Sequence, residues 1–205
     1  MTVVYNRIAL IGLGLIASSM FWSIRKGNLA QEVVGFAKSK KTRDTAKSIG
    51  LCDHVFNNLK DTVNNADLVV LCTPVGVMGE VVEQIAPYLK KGATLSDVGS
   101  VKRAVLDAVE PLIPQDVCFV PAHPLAGTEH SGPESGFSSL FENRWCILVP
   151  TASSTRNAVE KLTRLWTGMG ALVDQMDADH HDLVLAVTSH APHLIAYTMV
   201  GVADD

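Results

Sequence analysis

The feature that most restricts this chain is Gly12-Leu-Gly-Leu-Ile-Ala17, set between the apolar run Ile8–Ile11 and a segment from Ile16 to Ile24 whose apolar residues can share a helix face. Strand, tight turn and helix follow from that order. Gly12 takes the backbone angles of the turn, Gly14 leaves no side chain over it, and Ala17 lets the helix lie against the strand. The first helical N–H groups, at Leu15 and Ile16, are then free to meet an anion, so the stretch reads as the pyrophosphate cradle of a dinucleotide-binding fold.

Further strands are predicted at Glu32–Ala37, Leu68–Cys72, Thr94–Val98, Cys118–Ala122, Cys146–Val149 and Ala171–Met176. Helices are predicted at the end of the polar stretch Lys38–Ser48, over Gly79–Leu89 and Val101–Val109, and from about Arg156 to Met169. This alternation makes an α/β protein with a doubly wound, mostly parallel sheet of Rossmann type. A hydrophobic content of 47% and a mean hydropathy of +0.21 fit strands buried on both faces.

From Asp182 to Val202 the pattern changes. Leu183, Val184, Leu185, Val187, Leu194, Ile195, Met199, Val200 and Val202 cover almost every side of a helical run, which cannot stand alone in water. The expected organisation is a dinucleotide-binding domain over residues 1–176 and the start of an all-helical substrate and dimerisation domain over 177–205. The chain reads as ending inside that second domain, which must pack against another subunit or against further sequence.

The formal charge of -4 and pI near 5.9 give no basic footprint for nucleic acid or an anionic membrane. With no signal-type N-terminus and no uncharged apolar run of about 18 residues, the expected location is cytoplasmic. The four widely spaced cysteines read as reduced and buried rather than as a disulfide or zinc frame.

An Asp or Glu usually ends the second strand of such a fold and binds the adenosine ribose. Here that place is Ala37, followed by Lys38, Ser39, Lys40 and Lys41, which favours NADP and leaves NAD possible. Thr73 and Pro74, after the Leu68 strand, lie where the sheet passes the cofactor; Thr73 is a contact or Pro74 a plain strand terminator.

Two stretches carry chemistry. Ser96-Asp-Val-Gly-Ser-Val-Lys102 runs from a strand through a glycine into a helix at the same sheet edge, with Asp97 on the cofactor side. Ser100 either caps that helix or faces the crevice. Lys102 is either an anion ligand or a solvated helix residue. Pro121-Ala-His-Pro-Leu-Ala-Gly-Thr-Glu-His-Ser-Gly-Pro133 is a polar loop after a buried strand, the place where α/β enzymes set reacting groups. His123 emerges first and is suited to take a proton from a hydroxyl as hydride leaves the same carbon. Thr128 and Glu129 are placed to bind or gate a polar substrate, and His130 is expected to be exposed. His180 and His181 among aspartates, or His190 and His193 beside Pro192, are not read as a metal site, because adjacent helical side chains diverge and proline disturbs the helix.

Together, Gly12-Leu-Gly-Leu-Ile-Ala17, Asp97-Val-Gly-Ser-Val-Lys102, His123-Pro-Leu-Ala-Gly-Thr-Glu-His-Ser-Gly132 and Ser189-His-Ala-Pro-His193 make the chain resemble the prephenate and arogenate dehydrogenases of tyrosine biosynthesis over nearly its whole length. The resemblance implies NAD(P)-dependent oxidative decarboxylation of prephenate or arogenate to 4-hydroxyphenylpyruvate or tyrosine. It implies that His123 bonds the ring hydroxyl and assists its deprotonation, with Ser100 near the same hydroxyl. It also implies that His190 joins the substrate site, with Thr128 a substrate contact and Glu129 a gate, and that the helical domain forms a homodimer. The family's substrate-carboxylate arginine lies beyond the matched stretch. Two rivals are a β-hydroxyacid-type dehydrogenase, which uses a helical lysine as acid/base, and a non-catalytic NADP-binding regulatory module.

Overall fold

The computed structural model describes residues 2–204, with side chains described as far as Val200. Alternating strands and helices build the first layer: β1 Tyr5–Ile11, α1 Leu15–Gly27, β2 Ala30–Phe36, α2 Lys40–Ser48, β3 His54–Phe56, α3 Leu59–Val63, β4 Leu68–Leu71, α4 Met78–Ile85, β5 Thr94–Asp97, α5 Arg103–Val109 and β6 Cys118–Phe119. The six strands pair in parallel in the order β3-β2-β1-β4-β5-β6. Side-chain alternation along β1 shows why both faces are apolar. Ile8 and Leu10 pack in one core with Met20 and Ile24 of α1, whereas Ala9 and Ile11 join Met78 and Val82 of α4 and Val105 and Val109 of α5 in the other.

A single sheet was expected, and the structure has two. Pro121 lies in the middle of the predicted Cys118–Ala122 strand; it cannot donate to a ladder, and β6 ends just before it at Phe119. The chain resumes as β7 Ala122–Pro124, antiparallel to β8 Trp145–Leu148, which pairs in parallel with β9 Leu172–Gln175 after α6 Arg156–Gly168. His123 is therefore a strand residue, opposite Ile147, and not part of a loop. The short β3 and α3 have no counterpart in the sequence reading, because three- and five-residue elements are too brief for a periodic pattern. The helix predicted over Gly79–Leu89 stops at Ile85 and continues as one 3₁₀ turn with Pro87.

Beyond β9 the chain is helical: α7 Ala178–Leu185, a π-helical turn Ala186–His190, and α8 Ala191–Asp204. The wide turn precedes Pro192, which has no N–H for the preceding turn and whose ring crowds it. Ala178–Val200 is long and apolar enough, by length and composition alone, to cross a membrane, with a mean hydropathy of 1.4. Leu183, Val187, Leu194, Ile195, Met199 and Val200 are all at least 60% exposed, whereas Leu185 of the same run is buried where α7 packs on the first domain. Val202 lies outside the residues whose side chains are described. The four cysteines are free thiols, with Cys72 and Cys118 only partly covered.

Candidate active site

At the carboxyl edge of the parallel sheet, Gly12 has φ +97°, and its N–H donates to Phe36 O at 2.8 Å. A Cβ there would stand 2.7 Å from Cys72 O, so only glycine fits where the ends of β1, β2 and β4 meet. Gly14 is the N-cap of α1, with no side-chain cap and no acidic residue in the first turn, and a Cβ on it would meet nothing within 4 Å. The turn thus opens onto free space, with the N–H groups of Leu15 and Ile16 at its rim. Thr73 Oγ1 is buried without a partner among the described residues, beside Pro74. An orphaned hydroxyl next to an uncapped helix start suits a pyrophosphate-bearing group.

At the far end of the crevice Ala37 is buried, while Lys38 and Ser39 are exposed. Ser39 caps α2 by accepting from Thr42 N, and Lys40 pairs with Asp44. Arg43, absent from the sequence reading, donates from Nη1 to Ala37 O at 2.7 Å and Lys38 O at 2.8 Å. Its guanidinium is held against this loop; its spacing of four from Ser39 along α2 was the available signal.

The Asp97–Lys102 stretch departs from both readings given to it. Lys102 is neither a ligand nor solvated: it is fully buried, with Nζ 2.5 Å from Asp97 Oδ2 and 2.8 Å from Ala122 O. It ties β5 of one sheet to β7 of the other. Asp97, expected at the cofactor, instead turns its carboxylate inward to Lys102 and Gly99 N. Ser100 is exposed in the loop before α5 and is not its cap; Lys102 holds the N-cap position without a side-chain cap. The cap comes from a distant segment: Asp182 of α7 accepts from Lys102 N at 2.7 Å and Arg103 N at 2.9 Å.

His123, Thr128 and Glu129 line one cavity of about 650 Å³, together with Ser189, His193 and Tyr197. The structure thus brings three predicted residues together but does not bring Ser100 to the lining. His190 is half-buried outside the lining, and it is His193, one helical turn on, that faces in. Glu129 and His130 sit exposed, 3.4 Å apart.

His123 is 8% exposed, and its Nδ1 lies 2.9 Å from Nε2 of His181, a residue that sequence reasoning considered only as a metal ligand. His181 is fully buried and its Nδ1 lies 2.7 Å from Asp182 Oδ1, whereas neighbouring His180 is exposed. Burial first, then the Lys102 ammonium and the imidazoles of His181 and His190, press the His123 pKa down to about 3 against the opposing pull of Asp182. Burial also lowers His181, despite Asp182. Burial pushes Asp182 up, but the bonds from Lys102 N, Arg103 N and His181 together outweigh it and hold the carboxyl below its ordinary value. The site therefore presents a neutral imidazole at a cavity wall, able to accept a proton.

The family described as prephenate dehydrogenase, nucleotide-binding domain, matches residues 22–175. The cyclohexadienyl dehydrogenase of Zymomonas mobilis is 42% identical over 97% of this chain and 67% of its own length. The prephenate dehydrogenase of Bacillus subtilis is 33% identical over 95% of this chain, which spans 53% of that protein. A crystal structure of Aquifex aeolicus prephenate dehydrogenase with hydroxyphenyl propionate and NAD+ superposes with a TM-score of 0.88 at 28% identity, covering 96% of this chain and 68% of that one. Synechocystis arogenate dehydrogenase gives 0.85 at 26% identity, with the same coverage. With a dinucleotide crevice at one end of the sheet edge and a neutral histidine at a cavity wall, and with matches of this extent, the chain belongs to the prephenate dehydrogenase family, enzymes that oxidise a small substrate with a nicotinamide cofactor.

Proposed function

We propose that the protein carries out the oxidative decarboxylation of prephenate or arogenate, residues 1–176 binding the nicotinamide cofactor and the helices from residue 177 completing the substrate site. The observation that carries this reading is the meeting of His123, Thr128 and Glu129 from the nucleotide-binding portion with Ser189 and His193 from the helices in one cavity. His123 takes the proton of the ring hydroxyl, a step worth about 10²- to 10⁴-fold in rate. Thr128 and Glu129 hold and gate the polar ends of the substrate. The cofactor, when bound, accepts the hydride from the hydroxyl-bearing carbon. The bond to the ring carboxylate breaks as CO2 leaves, its electron pair makes the ring aromatic, and the imidazolium of His123 returns its proton to the phenolate oxygen. A β-hydroxyacid-type reaction is less well supported, since Lys102 is locked in a buried ion pair and cannot reach a substrate.

NADP is the favoured cofactor and NAD is also accepted. Support comes from Ala37 in place of a carboxylate and from Lys38, Ser39 and the tethered Arg43 around the same loop. Pairing with a second copy through the exposed apolar residues of α8 completes the reading. The test is a full-length assay of both substrates crossed with both cofactors, read at the reduced-nicotinamide absorbance. Reduction with at least one substrate, faster with NADP, is expected; no reduction with either would leave a cofactor-binding regulatory module as the better account.

A further inference from the structure

We propose that His181 and Asp182 are positioning residues for His123. The Asp182 carboxylate selects one tautomer of His181, which selects one tautomer of His123, so that Nε2 of His123 meets the cavity with a bare lone pair. This inference rests on the reading of His123 as the base, and it deepens it.

The argument follows from donor and acceptor chemistry. An ionised carboxylate only accepts, so the 2.7 Å approach of Asp182 Oδ1 to His181 Nδ1 requires the proton on that nitrogen. A neutral His181 then has a bare Nε2. The 2.9 Å distance from His181 Nε2 to His123 Nδ1 is therefore a bond that His123 donates. Neutral His123 is left with Nε2 unprotonated, and Nε2 has no protein partner among the described residues. Asp182 is itself held, because its two oxygens accept the N–H groups of Lys102 and Arg103 and so cap α5.

The groups facing these rings agree. Lys102, His181 and His190 oppose a positive charge on His123, and Asp182 favours it. His181 faces Asp182, Lys102 and Asp97. His181 and Asp182 are neighbours in the chain, but the bond to His123 and the bonds from Lys102 N and Arg103 N join segments far apart, so the base is set only when α7 docks on the start of α5. The exposed pair Arg103–Asp179, 2.5 Å apart, lies at the same contact.

The test uses the full-length enzyme and two substitutions. His181→Gln keeps an amide oxygen that can accept from His123 Nδ1, whereas His181→Leu removes the acceptor. His181→Leu is expected to lower kcat by about 10²-fold or more, by analogy with loss of an orienting partner in other imidazole relays, while His181→Gln stays within about tenfold of the parent. The KM for cofactor should move less than about twofold in both, since neither touches the crevice. Nitrogen-15 NMR of histidine-labelled parent protein should show His123 protonated at Nδ1 and bare at Nε2, a readout that needs no variant to fold. Equal losses in the two variants, full activity in His181→Leu, or a proton on Nε2 of parent His123 would each overturn the proposal. A parent enzyme that turns over neither substrate would instead sink the dehydrogenase reading and leave the tautomer measurement to stand by itself.

Discussion

The glycine turn after β1 and the histidine chain beneath the cavity are assembled in opposite ways. Within three residues, Gly12 and Gly14 create a turn that a Cβ at Gly12 would close, and local backbone geometry dictates it. The histidine chain needs His123 from β7 and His181 and Asp182 from α7, with Lys102 anchoring Asp97 and Ala122 below. A site made from one local turn tolerates changes elsewhere. One made from distant segments depends on every packing contact between them.

The contrast is broken most directly at His123. His123→Asn in the full-length enzyme is expected to reduce kcat by at least about 10²-fold with little change in cofactor affinity; a loss confined to cofactor KM would merge the two regions into one. Next comes the buried ion pair. Lys102→Met leaves the Asp97 carboxylate buried without its cation, which costs about 3 to 5 kcal/mol, measured by denaturant unfolding; a change below about 1 kcal/mol would remove Lys102 as the staple between the sheets. A smaller effect is expected at the turn, where Gly12→Ala places a methyl against Cys72 O at positive φ. The strain is about 1 to 3 kcal/mol, and cofactor titration should show weakened binding while the His123 tautomer is unchanged.

The last expected effect is a pH slope. The folded value of His123, about 3, lies below its ordinary 6.5, so on acidification the unfolded chain takes the proton first. The stability that goes with a neutral His123 is fully present above pH 6.5 and is lost as pH falls toward 3, and His181 acts in the same direction. Thermal melts between pH 7 and 4 should show this slope, and His123→Asn should flatten it; an unchanged slope would show that the ring is not buried neutral.

What was legible follows the same division. The turn at Gly12 and the alternation of strands and helices could be read from residues close in sequence, where backbone sterics and side-chain periodicity act locally. The apolar run from Leu183 to Val200 announced an uncovered helix in the same way. The fate of Lys102, by contrast, was open between ligand and solvated residue, and it became neither, because burial brought Asp97 and Ala122 to its ammonium. His193, three residues on, lines the cavity where His190 was expected, a placement decided by how the helix lies against the loop after β7. His181 and Asp182 read as helix-start residues in an acidic run, and only the docking of α7 against α5, some 80 residues away in the chain, made them partners of His123. Sequence alone determined the local turn and the residue types present. Tertiary structure decided which titratable groups lost their water and met one another, since desolvation and hydrogen-bond partners belong to the packed interior and not to any stretch of chain.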